Sequence, residues 1–421
     1  MLVFKFGGAS VRDAEAIKNV ASILLLYPTS KLTVVVSAMG KSTNKLEEIV
    51  QALESKNHTL FTGLVDELES FHLDILAALF PEKHFKIYQT VDELFESLRN
   101  RFEGTFSENT SFEYDQIVSL GEVLSSQIVS AYLIEQDFSV QWMDARKIIR
   151  TNHQYQEGKV DWVKTEQLVQ AFMVPAFHEV QMIVTQGFIG HTAEGFTTTL
   201  GREGSDYTAG ILAYCGHAES VTIWKDVPGM LNADPKYFEN TKKLEAISFK
   251  EAIELSYYGA SVIHPKTIQP LQNRNIPLYV KSFLDPKADG TIIQSSSSRD
   301  HLIPSYIFKF DQALYSFTPK DFSFIVEENL SVIFGKLSDL NVKINLMQNS
   351  ALSFSILVDQ KKVKREQLLA LFQNEYEVKY NEDLSLVTIR HYDDETIQQV
   401  TEGKEILVQQ RTRHTARFVL K

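Results

Sequence analysis

The sequence predicts an α/β fold, an open and mostly parallel sheet sandwiched by helices, followed by a smaller α+β region of ferredoxin-like pattern. Three observations predict it. Short apolar runs rich in β-branched residues, "LVFKF", "LTVVVSA", "EVQMIVTQGFIG" and "SVTIWKDV", alternate with longer amphipathic segments. Strands that are apolar on both faces need cover on both sides, and alternation with helices makes their sheet mainly parallel. Near residue 285 the composition shifts to "DPKADGTIIQSSSSRD", whose Pro286, Gly290 and four serines mark a link between domains. The expected division is 1–298 and 299–421.

In chain order, "LVFKF" is the first strand, residues 13–27 the first helix and "LTVVVSA" the second strand. Residues 44–104 then lack strand signals, and Leu64, Leu68, Phe71, Ile75 and Leu79, with Val91, Leu94, Phe95, Leu98 and Phe102, recur at helical spacing. This is a helical insertion whose apolar stripes are packing faces. Beyond the link, a strand at Leu314–Phe317 leads to a helix over Phe322–Leu340, with Leu330, Ile333, Phe334, Leu337 and Leu340 on one side. The strands "KINLMQNS" and "LSFSILVD", a helix over Val363–Asn374 and "YEVKYNED" complete a βαββαβ order. "LSLVTIRHY" opens a second, shorter copy, and "KEILVQQRTRHTARFVLK" is expected to pair back into a shared sheet.

With 421 residues and 44% apolar composition, the chain can bury a large core and form two or three domains. Its 54 acidic against 42 basic residues give a net charge of −12, which disfavours sequence-independent attraction to nucleic acid or an anionic membrane. One cysteine, Cys215, and no Cys/His cluster of zinc spacing point to a reducing, cytoplasmic setting without a structural metal. The N-terminus shows no export signal, and no apolar stretch approaches the roughly 20 residues of a membrane span.

Ligands of parallel sheets bind beyond the C-terminal ends of strands, so the residues there carry the chemistry. After "LVFKF", Gly7 and Gly8 let backbone N–H groups approach an anion, and Lys5 adds a point charge; the P-loop spacing is absent. After the second strand, Ser42 and Thr43 stand before a helix as caps or as ligand contacts. "SLGE" puts Glu122 in an amphipathic stretch, where solvent exposure is the ordinary fate of a glutamate. In "TTTLGREGSDYTAGILAY" a polar Gly/Ser loop opens into an apolar helix. Ser205 and Asp206 cap its anion-attracting N-terminus, and Arg202 offers a planar fork for a carboxylate or phosphate. Asp206 orients a lysine or holds Mg2+ through water. "IWKDVPGMLNADPK" is a strand end followed by a polar loop suited to a nucleotide through Asp226, or simply a surface connection. In "YYGASVIHPKTI", Lys266 starts another helix after Pro265, and His264 reads as packing, with no second histidine at a metal spacing.

Together, "KFGGAS", "VVSAMGKSTN", "SLGE", "LGREGSDYTA", "KDVPGMLNADP" and "YGASVIHP" stand in the order of the amino-acid kinase family and specifically resemble aspartate kinases. The resemblance implies ATP-dependent phosphorylation of the β-carboxylate of L-aspartate, with Mg2+ carried on the ATP. It implies that Lys5 and Asp206 serve phosphoryl transfer and that Arg202 clamps the substrate α-carboxylate while Glu122 takes its ammonium. Thr43 and Ser205 would add hydrogen bonds to the substrate. Lys5, Gly7, Gly8, Ser37, Lys225, Asp226, Leu231, Lys236 and Ser261 would contact the nucleotide, with no metal ligand supplied directly by the protein. No general base is needed, because the acceptor carboxylate is already ionised at neutral pH.

The chain departs from the family's pattern at Ala9 (usually Thr), Glu203 (usually Gly), Lys225 (Thr), Leu231 (Tyr), Lys236 (Arg) and Ser261 (often Lys). The C-terminal pattern resembles the ACT domain, a sensing module usually paired in aspartate kinases, and implies a homodimer. Asn345 stands where lysine-sensing relatives commonly have Asp, so weak or absent inhibition by lysine is expected. A kinase for another small acid, such as glutamate or N-acetylglutamate, and a catalytically dead amino-acid sensor are the rival expectations.

Overall fold

The computed structural model describes residues 1–82, 86–104, 106–260 and 263–421, and every element count is of these described residues. They divide into two compact units: Met1–Met230 with Lys243–Ile253 and Val262–Arg299, and Leu231–Lys242 with Glu254–Ser261 and Asp300–Lys421.

The first unit is built on a sheet of β1 (Leu2–Phe6), β2 (Leu32–Val36), β3 (Val140–Met143), β4 (Met182–Gln186), β7 (Ser220–Lys225), β8 (Ala246–Ser248), β9 (Leu278–Ser282) and β10 (Thr291–Gln294), in the order β3-β4-β2-β1-β7-β9-β10-β8. Within this sheet, among the described residues, only the β9–β10 pairing is antiparallel. β10 lies inside the stretch expected to be linker: the serines follow it, but Thr291–Gln294 pairs β9 and β8. The run "EVQMIVTQGFIG" likewise divides, with β4 ending at Gln186 and β5 (Ile189–His191) pairing β6 (Thr197–Thr199) in a separate ribbon.

Pleating sends alternate residues of β1 to opposite faces. Phe4 and Phe6 go to one, where Phe6 stacks on Trp224 at 6.0 Å, and all three are essentially buried. Full burial of such a ring contributes about 2–3 kcal/mol, so β1 and β7 are held in register and Lys5 is presented on the other face. Helix α1 (Ala14–Leu24), capped by Asp13 accepting from Ala16 N–H, packs on the aromatic side. The insertion forms α2 (Ser42–Glu54), α3 (His58–Leu79) and α4 (Lys86–Glu103), and its stripes enter the same core through Leu64, Leu68, Ile75, Leu79, Val91, Phe95 and Leu98.

Next come α5 (Thr110–Val118) and α6 (Leu120–Glu135), which follow each other without a loop. Together Thr110–Glu135, 26 residues, is long and apolar enough to cross a membrane, contrary to the sequence expectation, yet most of it is buried inside the unit. α6 packs on β2, β3 and β4. α7 (Trp162–Leu168) and α8 (Val174–Ala176) precede β4, α9 (Gly204–Cys215) precedes β7, α10 (Phe249–Tyr258) follows β8 and α11 (Pro265–Asn273) precedes β9.

In the second unit the strands run β12-β13-β11-β14-β16-β15, with every pairing antiparallel: β11 (Ser305–Pro319), β12 (Ile344–Asn349), β13 (Phe354–Asp359), β14 (Tyr376–Arg390), β15 (Ile406–Arg411) and β16 (Thr415–Leu420). β11 spans 15 residues, far beyond the expected Leu314–Phe317, and shifts register against β14 between Lys309 and Leu314. Such irregularities bend strands. The sheet folds back on itself: Gln410 on β15 donates to the Met347 carbonyl, and Arg417 on β16 to that of Asn345, both on β12 at the opposite edge. Leu314, Leu346, Leu357, Leu384, Leu386 and Val419 fill the space between.

Helices α12 (Glu327–Asp339) and α13 (Arg365–Phe372) cover the first half, and α14 (Asp394–Thr401) the second. α12 starts at Glu327, not Phe322, with two glutamates in its first turn facing the positive end of the helix. The second copy is short in sequence because β11 and β14 run through both halves, and the chain end is a hairpin, not one strand.

Candidate active site

Seven chain segments converge at the C-terminal ends of β1, β2, β4 and β7 to line a cleft of about 580 Å³. Its floor is an ion cluster. Lys5 Nζ lies 2.5 Å from Asp206 Oδ1, and Lys225 Nζ lies 3.4 Å from Oδ2. Burial would raise the Asp206 pKa, but the two ammonium groups outweigh it and hold the carboxylate below its usual value. β1 supplies Lys5, β7 supplies Lys225, and Asp206 sits in the first turn of α9.

The start of α9 is fixed by small residues. A Cβ on Gly204 would collide with Phe188, and one on Gly187 with Ser205, so the helix N-terminus is pressed against the chain leaving β4. Glu203, just before the helix, has φ 54° and ψ 30°, the left-handed region that favours glycine. Its Oε2 is buried without a hydrogen-bond partner among the described residues. At the neighbouring strand end, a Cβ on Gly8 would lie 2.8 Å from the Ala38 carbonyl oxygen and 2.9 Å from that of Gly40, so only glycine lets the loops after β1 and β2 approach.

Glu122 in the first turn of α6 is 3% exposed, far from the solvated side chain its helical setting suggested. Burial pushes its pKa up to about 8, against backbone N–H groups of Glu122 and Ala38 and the charge of Lys5. Its Oε2 has no partner among the described protein atoms. The Ser42 hydroxyl donates to the Met39 carbonyl at 2.6 Å, leaving Thr43 to line the cleft. Arg202 is exposed at the rim.

The cleft thus gathers Lys5, Gly8, Ser37, Thr43, Glu122, Arg202, Ser205, Asp206 and Lys225. Gly7 is not among its lining residues, nor are Asp226, Leu231 and Lys236, the last two of which belong to the second compact unit. Ser261 lies outside the described residues. His264 Nδ1 accepts from the Lys266 backbone N–H at 3.1 Å, capping α11, so it is structural as expected. Sequence reasoning missed Glu47, Tyr114, Gln156, Glu157 and Phe188, which also line it; no motif marks them. Tyr114 donates to Glu47 Oε1 at 2.7 Å.

A family model described as "Amino acid kinase family" matches residues 1–282. The chain is 34% identical over 361 residues to the lysine-sensitive aspartokinase 3 of Escherichia coli, covering 85% of this chain and 78% of that protein. It is 33% identical over 300 residues to a chloroplastic bifunctional aspartokinase/homoserine dehydrogenase of Zea mays, covering 69% of this chain but only 32% of that much longer protein. The crystal structure of E. coli aspartokinase III in complex with aspartate and ADP superposes with a TM-score of 0.82 at 29% identity, over 100% of this chain and 96% of the other.

Proposed function

The chain belongs to the amino acid kinase family, within which it is an aspartate kinase, and we propose that it transfers the γ-phosphoryl group of ATP to the β-carboxylate of L-aspartate, giving 4-phospho-L-aspartate. The observation that carries this reading is a charge match. One cleft holds, at Glu122, a buried carboxylate oxygen without a partner among the described residues, with a rim guanidinium at Arg202 and an ammonium at Lys5. These suit, in turn, the substrate ammonium, its α-carboxylate and the moving phosphoryl group.

Arg202 offers two parallel N–H donors to the α-carboxylate, and Glu122 receives the ammonium. Holding both ends fixes the β-carboxylate in line for attack, which lowers the barrier by removing translational and rotational freedom. The acceptor is an anion already, so the protein moves no proton. Asp206 keeps Lys5 charged and aimed, and Lys5 stabilises charge spreading over the phosphoryl oxygens. The start of α9 and the backbone at Gly8 add N–H donors.

Among the described residues no group of three or more His, Cys, Asp or Glu could hold a metal ion. Acidic side chains nonetheless outnumber basic ones in the cleft lining, so a polyphosphate entering it must bring its own cation. Mg2+ carried on ATP fits that balance: Asp206 would hold it through water, and the ion would neutralise phosphate charge. The product feeds the biosynthesis of lysine, threonine, methionine and diaminopimelate. A cytoplasmic setting accords with the lone Cys215, buried and with its thiol pushed up to about 12.

Two copies would pair through the second unit, where Phe322, Phe324, Val332, Phe334 and Met347 are exposed around α12 and the edge strand β12. Trapping of the acyl phosphate as a hydroxamate tests the reaction: L-aspartate, ATP and Mg2+ should yield aspartyl hydroxamate. Product with glutamate in place of aspartate, or none with either, would overturn the assignment.

A further inference from the structure

One buried acid near the cleft touches no substrate position, yet it joins two walls of the site. Asp115 on α5 is fully buried, and its carboxylate accepts four hydrogen bonds. Thr199 Oγ1 donates to Oδ1 at 2.7 Å and Thr199 N–H to Oδ2 at 2.9 Å; Gln156 N–H is shared between Oδ1 at 3.1 Å and Oδ2 at 3.0 Å. The neighbouring Gln116 reinforces the attachment: its amide donates to the Thr197 carbonyl at 2.8 Å and accepts from Thr197 N–H at 3.2 Å, as an added strand would.

The two segments so clamped both lead into the cleft. Thr199 ends β6 just before Gly201 and Arg202, and Gln156 adjoins Glu157, another lining residue. Gly201 (φ +76°) lies so close to this turn that a Cβ would be 3.3 Å from the Gln156 carbonyl oxygen and 3.4 Å from Glu157 Cγ. On the other side, α5 runs directly into α6 and Glu122. The carboxylate is ionised at neutral pH, since burial pushes it up only to about 6 against its Thr199 and Gln156 donors.

We propose that Asp115 is a positioning residue that sets the span between Glu122 and Arg202, and thereby selects the length of the amino-acid acceptor. This rests on the aspartate kinase reading. Without the Asp115 carboxylate the stretch leading to Arg202 keeps its Gln116 bonds and the Leu200 N–H bond to the Phe188 carbonyl but loses its tie at Thr199 and Gln156, so the loop carrying Arg202 shifts against α5–α6, while Lys5, Asp206 and Lys225 are held by β1, α9 and β7.

The test is a split in kinetic constants. Asp115→Asn should raise the aspartate KM between about tenfold and a hundredfold and leave the ATP KM within about twofold, with hydroxamate formed from glutamate rising relative to aspartate. An unchanged aspartate KM and acceptor preference in a folded variant, or equal rises in both KM values, would overturn the proposal. Thr199→Val removes one bond of the four and carries the test should Asp115→Asn not fold: the aspartate KM alone should rise about threefold, with Thr199→Ser restoring it, and no rise overturns the proposal. Wild-type protein that makes no aspartyl hydroxamate would defeat the reaction assignment instead, whatever the variants do.

Discussion

Asp206 is shared between two lysines, 2.5 Å from Lys5 and 3.4 Å from Lys225, so neither lysine is its sole counter-ion. Removing Lys5 therefore does not strand a buried charge. Lys5→Ala should fold and still bind nucleotide, with kcat lower by about a hundredfold or more; wild-type turnover in a steady-state assay would refute the role. Asp206→Asn removes the shared anion and leaves two cations facing each other, so it should cost both activity and roughly 3 kcal/mol of stability.

Aspartate capture should depend on pH through Glu122, whose pKa is about 8 in the folded protein against an ordinary 4.5. An ammonium needs the ionised form, so kcat/KM for aspartate should climb toward a plateau above pH 8, by up to tenfold per unit below it. The stability sign is opposite: a carboxyl with a raised pKa is favoured in its protonated form by the fold, so unliganded stability should fall as pH rises from 4.5 to 8. Glu122→Gln should flatten the melting-temperature profile and abolish the kinetic limb.

Arg202 is exposed, so its replacement should be nearly silent for stability. Arg202→Ala should raise the aspartate KM by about a hundredfold while sparing the ATP KM, and Arg202→Lys should recover little, because a point charge does not reproduce the planar fork. Equal KM values in wild type and Arg202→Ala would move the carboxylate clamp elsewhere.

Glu203→Gly should stabilise the protein. The present residue holds a left-handed backbone and buries a carboxylate oxygen that has no partner among the described residues. Glycine relieves the first by about 1 kcal/mol and removes the second. Thermal unfolding should shift upward, and a downward shift would show that Glu203 makes a compensating contact.

Lysine at millimolar concentration should leave the enzyme uninhibited. Asn345 already accepts from Lys309 Nζ at 2.9 Å and donates to Gln312 at 2.7 Å, so an incoming ammonium meets an occupied amide with a like charge beside it. Strong inhibition in the kinase assay would contradict this.

How much of this was legible depended on where the determining contacts lie in sequence. The sheet and its helices follow from apolar periodicity, and Lys5, Arg202, Ser205 and Asp206 stand in short Gly-rich strings at strand and helix ends. Glu122 read locally as a solvent-facing helical residue; only packing of α6 across β2, β3 and β4 buries it. Asp115 carries no local signal at all, since its partners Gln156 and Thr199 are distant in sequence and meet it only in the folded unit. The bent β11 exceeds its expected span because its first third, Ser305–Lys309, acquires its pairing from β14 far downstream.

The 26-residue helical run Thr110–Glu135 bears on synthesis as well as on the finished protein. Its cover includes β4, which ends at Gln186, so a nascent chain displays this greasy segment until some fifty further residues have left the ribosome. During that interval it resembles a substrate for membrane-insertion machinery and for chaperones. Translational pausing or truncation between α6 and β4 should therefore yield aggregates, whereas the same interruption after β7 should not.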